Sequence, residues 1–406
     1  LWEFTDNDDN DLGFTFGTPS VVRLQNGTWA AIFSGGYNNT ADDDGDSTTA
    51  NDSTDGNAYL YIVDISDGSL IKKFDTKTGS AEDPTGNGRP NGLSPPSIVD
   101  IDDDFTADYI YSGDLFGNVW KFDISTNASS SWGFAYGTNT NPEPLYTACS
   151  AATCNASNTQ AITTQLQVVR HPTKGGFIVL FGTGQYLEVG DNSTVGQTTQ
   201  SFYGIWDKAE SSLTSFDRSD LLQQEITHEI TAFSSDLRVT TENTINWTAD
   251  NGWYLDLVNT ESGNTNNYGE RQVSNSIVRN ERIIFTTLLP SDDPCDFGGS
   301  GWLMELDVFT GARLAFSPFD LDNDGSFLST DYLNVGDIDG DGIDDLVPVS
   351  GKKSKVGIIS TPSISVSSDG STEYIITSGS TGDSEVTTGN PGPTFSGRQS
   401  WRQLDY

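Results

Sequence analysis

Five times along the chain an alternating apolar strand runs into an aspartate and a turn: AYLYIVDISDGSL, GNVWKFDIS, SFYGIWDKAE, GWYLDLVNTESG and GWLMELDVFTGARL. Alternation with period two fits a pleated strand, and Asp followed by small polar residues fits the turn that ends it. The aspartates are Asp64, Asp123, Asp207, Asp256 and Asp307, spaced by 59, 84, 49 and 51 residues. Helix-period patterns are nearly absent. Units of about 50 residues match propeller blades of four antiparallel strands. The chain is therefore expected to be all-β, a modified β-propeller of about seven irregular four-stranded blades with long loop insertions. The 84-residue interval leaves open either an extra blade or insertions. Trp and Tyr in the repeated strands read as packing between blades. The glycines at Gly35-Gly36 and at Gly182 and Gly184 fit either the crowded inner end of a blade or ordinary turns.

Three acidic loops carry the chemistry. In VGDIDGDGIDDLVPVSG, Asp337, Asp339, Asp341 and Asp345 occupy positions 1, 3, 5 and 9 of one loop, with Gly342 at position 6. A hard cation such as Ca²⁺ takes six to eight oxygens, and alternate carboxylates with the position-7 carbonyl, here Ile343, supply that set. In DLDNDGSFLSTD, Asp320, Asp322 and Asp324 stand at 1, 3 and 5, Ser326 at the carbonyl position, and Asp331 closes at position 12, as in an EF-hand or dockerin loop. In DIDDDFTAD, Asp100, Asp102, Asp104 and Asp108 take 1, 3, 5 and 9, with Thr106 at the carbonyl position. Here Phe105 replaces the glycine. A bulky residue at positive φ is strained, so this loop is expected to follow a different backbone path. The reading is up to three Ca²⁺ sites, with Mg²⁺ less suited because it keeps its waters. Acidic turns that merely solvate a surface are the plain alternative.

The charge balance excludes some partners. With 58 acidic against 20 basic residues, a formal charge of −38, neither nucleic acid nor an anionic membrane surface is expected as the main partner. The excess is larger than three sites could neutralise, which fits a saline habitat or simply a well-solvated surface. No apolar run reaches the ~18 residues that would span a bilayer. LWEFTD has neither an initiator Met nor a signal peptide and already reads as a strand, so the chain is expected to be part of a longer, processed polypeptide. Residues 39–57 read as an acidic low-complexity insertion in which Asp42, Asp44 and Asp46 form a looser cation candidate. Cys149 and Cys154 bracket a small polar loop and could close a disulfide or remain thiols; Cys295 is left over, free or paired with a segment outside the chain.

Nearly the whole chain resembles the C-terminal domain of PilY-type adhesins of type IV pilus tips. The segments that carry the resemblance run collinearly from LWEFTD and FSGGYN through PSIVDIDDDFTADYIYSGDLFGNVWKFD, TTQLQVVRHPTKGGFIVLFGTGQYLE and TQSFYGIWD. They continue with GERQVSNSIVRNERIIFTTLLPSDDPCDFGGSGWLMELD, KSKVGIISTPSI and GRQSWRQL. The resemblance implies one propeller domain over residues 1–406, export to the cell surface, minor pilins at the fibre tip as partners together with a surface receptor, and calcium control of attachment. It also carries the family's calcium-ligand role onto Asp100, Asp102, Asp104, Thr106 and Asp108. The chain has no RGD tripeptide, so integrin binding does not carry over.

The rival class is an enzyme. GDLFGNVWKFD and LYIVDISDG resemble repeats of quinoprotein dehydrogenases, but adjacent cysteines are lacking. The two histidines, His171 and His228, form no sequence cluster, and His171 in RHPTKGG reads as support for a turn. Serine-nucleophile and phosphate-loop signatures are missing too. A non-enzymatic role is expected, with a structural filament subunit as a third reading.

Overall fold

The computed structural model describes residues 2–40, 52–261, 268–293, 295–338 and 340–393. Their regular structure is β throughout, apart from single 3₁₀ turns. No helix among the described residues is long and apolar enough to cross a membrane.

The first sheet takes Ser20–Arg23, Trp29–Ser34, Tyr59–Asp64 and Leu70–Asp75 in chain order, all antiparallel. The second takes Ser97–Val99, Tyr109–Gly113 and Asn118–Asp123 in the same order, with Tyr146–Thr147 on the outer side. A third four-stranded unit comprises Gln167–Arg170, Phe177–Gly182, Ser201–Asp207 and Gly252–Asn259. The fourth unit comprises Ile277–Arg279, Arg282–Thr286, Trp302–Asp307 and Gly351–Lys353. A terminal sheet of Ser363–Val366, Glu373–Ser378 and Ser384–Gly389 has three strands.

The all-β modified propeller is present, and it is irregular, as expected. The hairpin Leu222–Ala232/Ser235–Thr240 pairs parallel with Gly252–Asn259 on one side and antiparallel with Gly351–Lys353 on the other. It fuses the third and fourth units into one ten-stranded sheet. The long interval before Asp207 holds short strand pairs and loops, not an extra blade.

The recurring aspartates do not map one to a unit. Asp64, Asp123, Asp207 and Asp307 each end the third strand of a unit and accept the N–H two residues on, from Ser66, Ser125, Ala209 and Phe309, at 2.8–3.0 Å. This is an Asx turn, a local device that can end any strand. Asp256 lies in the fourth strand of a unit already counted, and its Oδ1 accepts from Ser201 and Arg218 instead.

Burial on both faces of the sheets sets the composition of the strands. In Phe177–Gly182 every residue is buried: Val179 and Phe181 pack toward Tyr111 and Val119 of the second sheet, Ile178 and Leu180 toward Ile283 and Phe285 of the fourth unit. An apolar run is stable there, where alternation would leave polar groups in a seam. Trp120 sits in the first seam, and Trp253 and Trp302 in the third, as inter-blade packing. Each fully buried large side chain contributes roughly 1.5–3 kcal/mol. Phe319 and Ile375 extend the core to the terminal sheet. The glycines sit at close approaches: a Cβ on Gly36, at φ +76°, would fall 2.2 Å from the Phe14 carbonyl oxygen, and one on Gly184 2.5 Å from Arg271 Cβ.

Candidate metal-binding loops

Loop 100–108 joins Ser97–Val99 to Tyr109–Gly113. Loops 320–331 and 337–345 both lie in the excursion between the paired strands Trp302–Asp307 and Gly351–Lys353.

All three use the same internal hydrogen bonds. The position-1 carboxylate accepts the position-6 N–H: Asp100 from Phe105 at 2.8 Å, Asp320 from Gly325 at 3.1 Å, Asp337 from Gly342 at 2.8 Å. The position-5 carboxylate accepts the position-7 N–H: Asp104 from Thr106, Asp324 from Ser326 and Asp341 from Ile343, at 2.7–2.8 Å. The closing aspartate accepts the position-2 N–H: Asp108 from Ile101 at 2.8 Å, Asp331 from Leu321 at 2.6 Å, Asp345 from Ile338 at 2.9 Å. Closure at position 9 or 12 is thus equivalent in this respect.

Phe105 takes φ +67°, in the same left-handed region as Gly325 at +81° and Gly342 at +86°. The separate backbone path expected for this loop is not what forms. The ring is 85% exposed, so it escapes clashes, and the Asp100 bond holds the N–H in place against a strain of about 1–2 kcal/mol.

Carboxylate oxygens of Asp100, Asp102 and Asp104 lie within 4.8 Å of one another, as do those of Asp320, Asp322 and Asp324. Like charges so close repel by roughly 1–4 kcal/mol per pair between water and a protein surface, which an ion among them would reverse. Asp339, like Asp42, Asp44 and Asp46, lies outside the described residues.

Partners that no local pattern announces surround loop 100–108. Gln25, from the first hairpin, donates through Nε2 to Thr106 Oγ1 at 2.5 Å and to Asp108 Oδ1 at 2.8 Å. Ala107 N–H donates to the Arg23 carbonyl, and Arg170 Nη2 from the third unit donates to the Ile101 carbonyl at 2.6 Å. The loop therefore ties three consecutive units. Burial pushes the Asp108 carboxyl above its ordinary range, aided by the Asp102 and Asp100 charges, against the lowering bonds from Ile101 and Gln25. Asp104 is exposed, and the Thr106 hydroxyl and N–H hold it low. Asp331 is raised by burial and by Asp322 and Asp320.

Cys149 and Cys154 are disulfide-bonded, while Cys295 is free and exposed. The His171 Nδ1 accepts from the N–H groups of Thr173 and Lys174 at 3.2 and 2.9 Å, the turn support expected of it, while its ring packs on Trp206 and Trp247.

Residues 3–237 match the family described as the PilY1 beta-propeller domain. Along its whole length the chain is 33% identical to the type IV pilus biogenesis factor PilY1 of Pseudomonas aeruginosa PAO1, covering 33% of that protein. Across 77% of its length it is 35% identical to a PilY1 homolog of Xylella fastidiosa, covering 20% of it. The crystal structure of the P. aeruginosa PilY1 C-terminal domain superposes with a TM-score of 0.77 at 31% identity, covering 97% of this chain and 75% of that one. The chain thus spans a third or less of the length of these curated relatives.

Proposed function

Because the chain belongs to the PilY1 β-propeller family, we propose that it is the C-terminal propeller module of an exported type IV pilus biogenesis factor. In this reading it works at the pilus tip without catalysis of its own, supporting fibre assembly with minor pilins and attachment to a surface receptor. Collinear similarity along the full chain to proteins named as pilus biogenesis factors carries the reading.

Calcium enters through loop 100–108. Without an ion, Asp100, Asp102 and Asp104 repel within one turn and the loop frays. With Ca²⁺ on these residues, on Asp108 and on the Thr106 carbonyl, the turn is ordered. Its bonds to Gln25, Arg23 and Arg170 pass that order to the neighbouring units, so the ion would set the shape of a surface spanning three sheets. The shared hydrogen-bond frame extends the cation reading to loop 337–345.

The test is complementation of a piliated strain that lacks the factor. Wild type is expected to restore fibres and calcium-dependent attachment. Asp102→Ala, an exposed change, restores fibres with attachment that no longer responds to Ca²⁺. Failure of the wild-type gene to restore either would overturn the pilus role; unaltered calcium response in a variant shown by calorimetry to have lost that ion would reduce the loop to a staple.

A further inference from the structure

Loops 100–108 and 320–331 differ in one respect that their sequences hide. In the first, both oxygens of the closing carboxylate are satisfied: Asp108 Oδ1 by Gln25 and Oδ2 by Ile101. In the second, Asp331 is completely buried, and its Oδ1 accepts from Leu321 and Asp322 at 2.6 and 3.3 Å. Its Oδ2 is buried with no hydrogen-bond partner, and so is Oδ1 of Asp320, the first residue of the same loop. Buried carboxylate oxygens are normally paired or bound to a metal. The exposed carboxylates of Asp322 and Asp324 lie within 4.8 Å of the carboxylate of Asp320.

The geometry points to a hard divalent cation of calcium's size in loop 320–331, held by Asp320, Asp322, Asp324, the Ser326 carbonyl and Asp331, which clamps the terminal sheet onto the fourth unit. The chain just before the loop lies against the last strand. Phe319 bridges Gly389, Asp320 N–H donates to the Thr388 carbonyl at 3.1 Å, and Asn390 N–H donates to the Pro318 carbonyl at 2.9 Å. Phe319 and Leu321 share a buried cluster with Ile284 and Leu303 of the fourth unit and Ile375 of the terminal sheet. An ion that fixes Asp320 therefore fixes the segment to which Ser384–Gly389 is bound. This site shares no residue with loop 100–108 and does not depend on the attachment role.

Ca²⁺ titrated calorimetrically into the chelator-treated chain tests the site, combined with hydrogen exchange at the amides of residues 373–389. Asp322→Ala, at an exposed position, and Asp331→Asn, which keeps an acceptor for Leu321, should each lose one binding event that Asp102→Ala retains. At a hundredfold excess of Ca²⁺ over its Kd, exchange at these amides should slow by up to about a hundredfold in wild type and in Asp102→Ala, and not in Asp322→Ala. The clamp is overturned if both loop variants bind as many ions as wild type, or if exchange at Ser384–Gly389 is indifferent to Ca²⁺. A result confined to Asp102→Ala concerns only loop 100–108.

Discussion

Arg282 of the fourth unit donates through Nη2 to Glu373 of the terminal sheet at 2.8 Å, with both side chains sealed from water. The other terminal nitrogen, Nη1, donates to Glu305 at 2.7 Å, and Arg279 also pairs with Glu373. Removing one member of such a buried set strands the others. Glu373→Ala should cost about 3–5 kcal/mol in urea unfolding. A loss below about 1 kcal/mol would show that water reaches this seam.

Glu305 sets a pH dependence. Burial raises its pKa to about 7, with Glu373 adding to the rise and Arg282 opposing it. Its carboxyl binds a proton in the folded state at pH values where the unfolded chain has released it. The resulting stabilisation is fully present below about 4.5, the ordinary value, and is lost as pH climbs through about 7. The Tm difference between wild type and Glu305→Gln should therefore move against wild type from pH 5 to pH 8; a flat difference would contradict the shift.

Phe105→Gly removes a ring that is 85% exposed and relieves a left-handed residue. After the entropy that glycine gains in the unfolded chain, stabilisation by about 0.5–1 kcal/mol is expected in thermal or urea unfolding. Destabilisation would mean that the ring has a partner.

Phe285 stacks on Phe202 with ring centroids 4.2 Å apart in the seam between third and fourth units. Phe285→Ala should cost about 3–5 kcal/mol, whereas Val195→Ala, at a side chain 80% exposed, should stay within about 0.5 kcal/mol. Comparable losses from the two would refute the seam as the seat of stability.

How much was legible follows from range along the chain. The alternating carboxylates of Asp100, Asp102 and Asp104 are a local pattern, and the turn that gathers them is local too. Gln25 and Arg170 reach that loop from about 70–80 positions away, and nothing in their surroundings distinguishes them from other polar residues. The strand-ending aspartates were readable as turn signals, yet Asp256 has the same local appearance and a different task, to hold Arg218. Phe105 misled because the rule against bulky residues at positive φ weighs the backbone alone; an exposed ring and an anchored N–H outweigh it here. The orphan oxygens of Asp331 and Asp320 emerge from burial, which the local sequence of the loop does not announce.

The hairpin Leu222–Ala232/Ser235–Thr240 has a mechanical consequence. Among the described residues the other units are separate sheets, joined by packing and by scattered hydrogen bonds. Between the third and fourth units the backbone ladder is continuous across ten strands. Under tension this pair would bear load as one plate, and the first seams to open would be those that flank it.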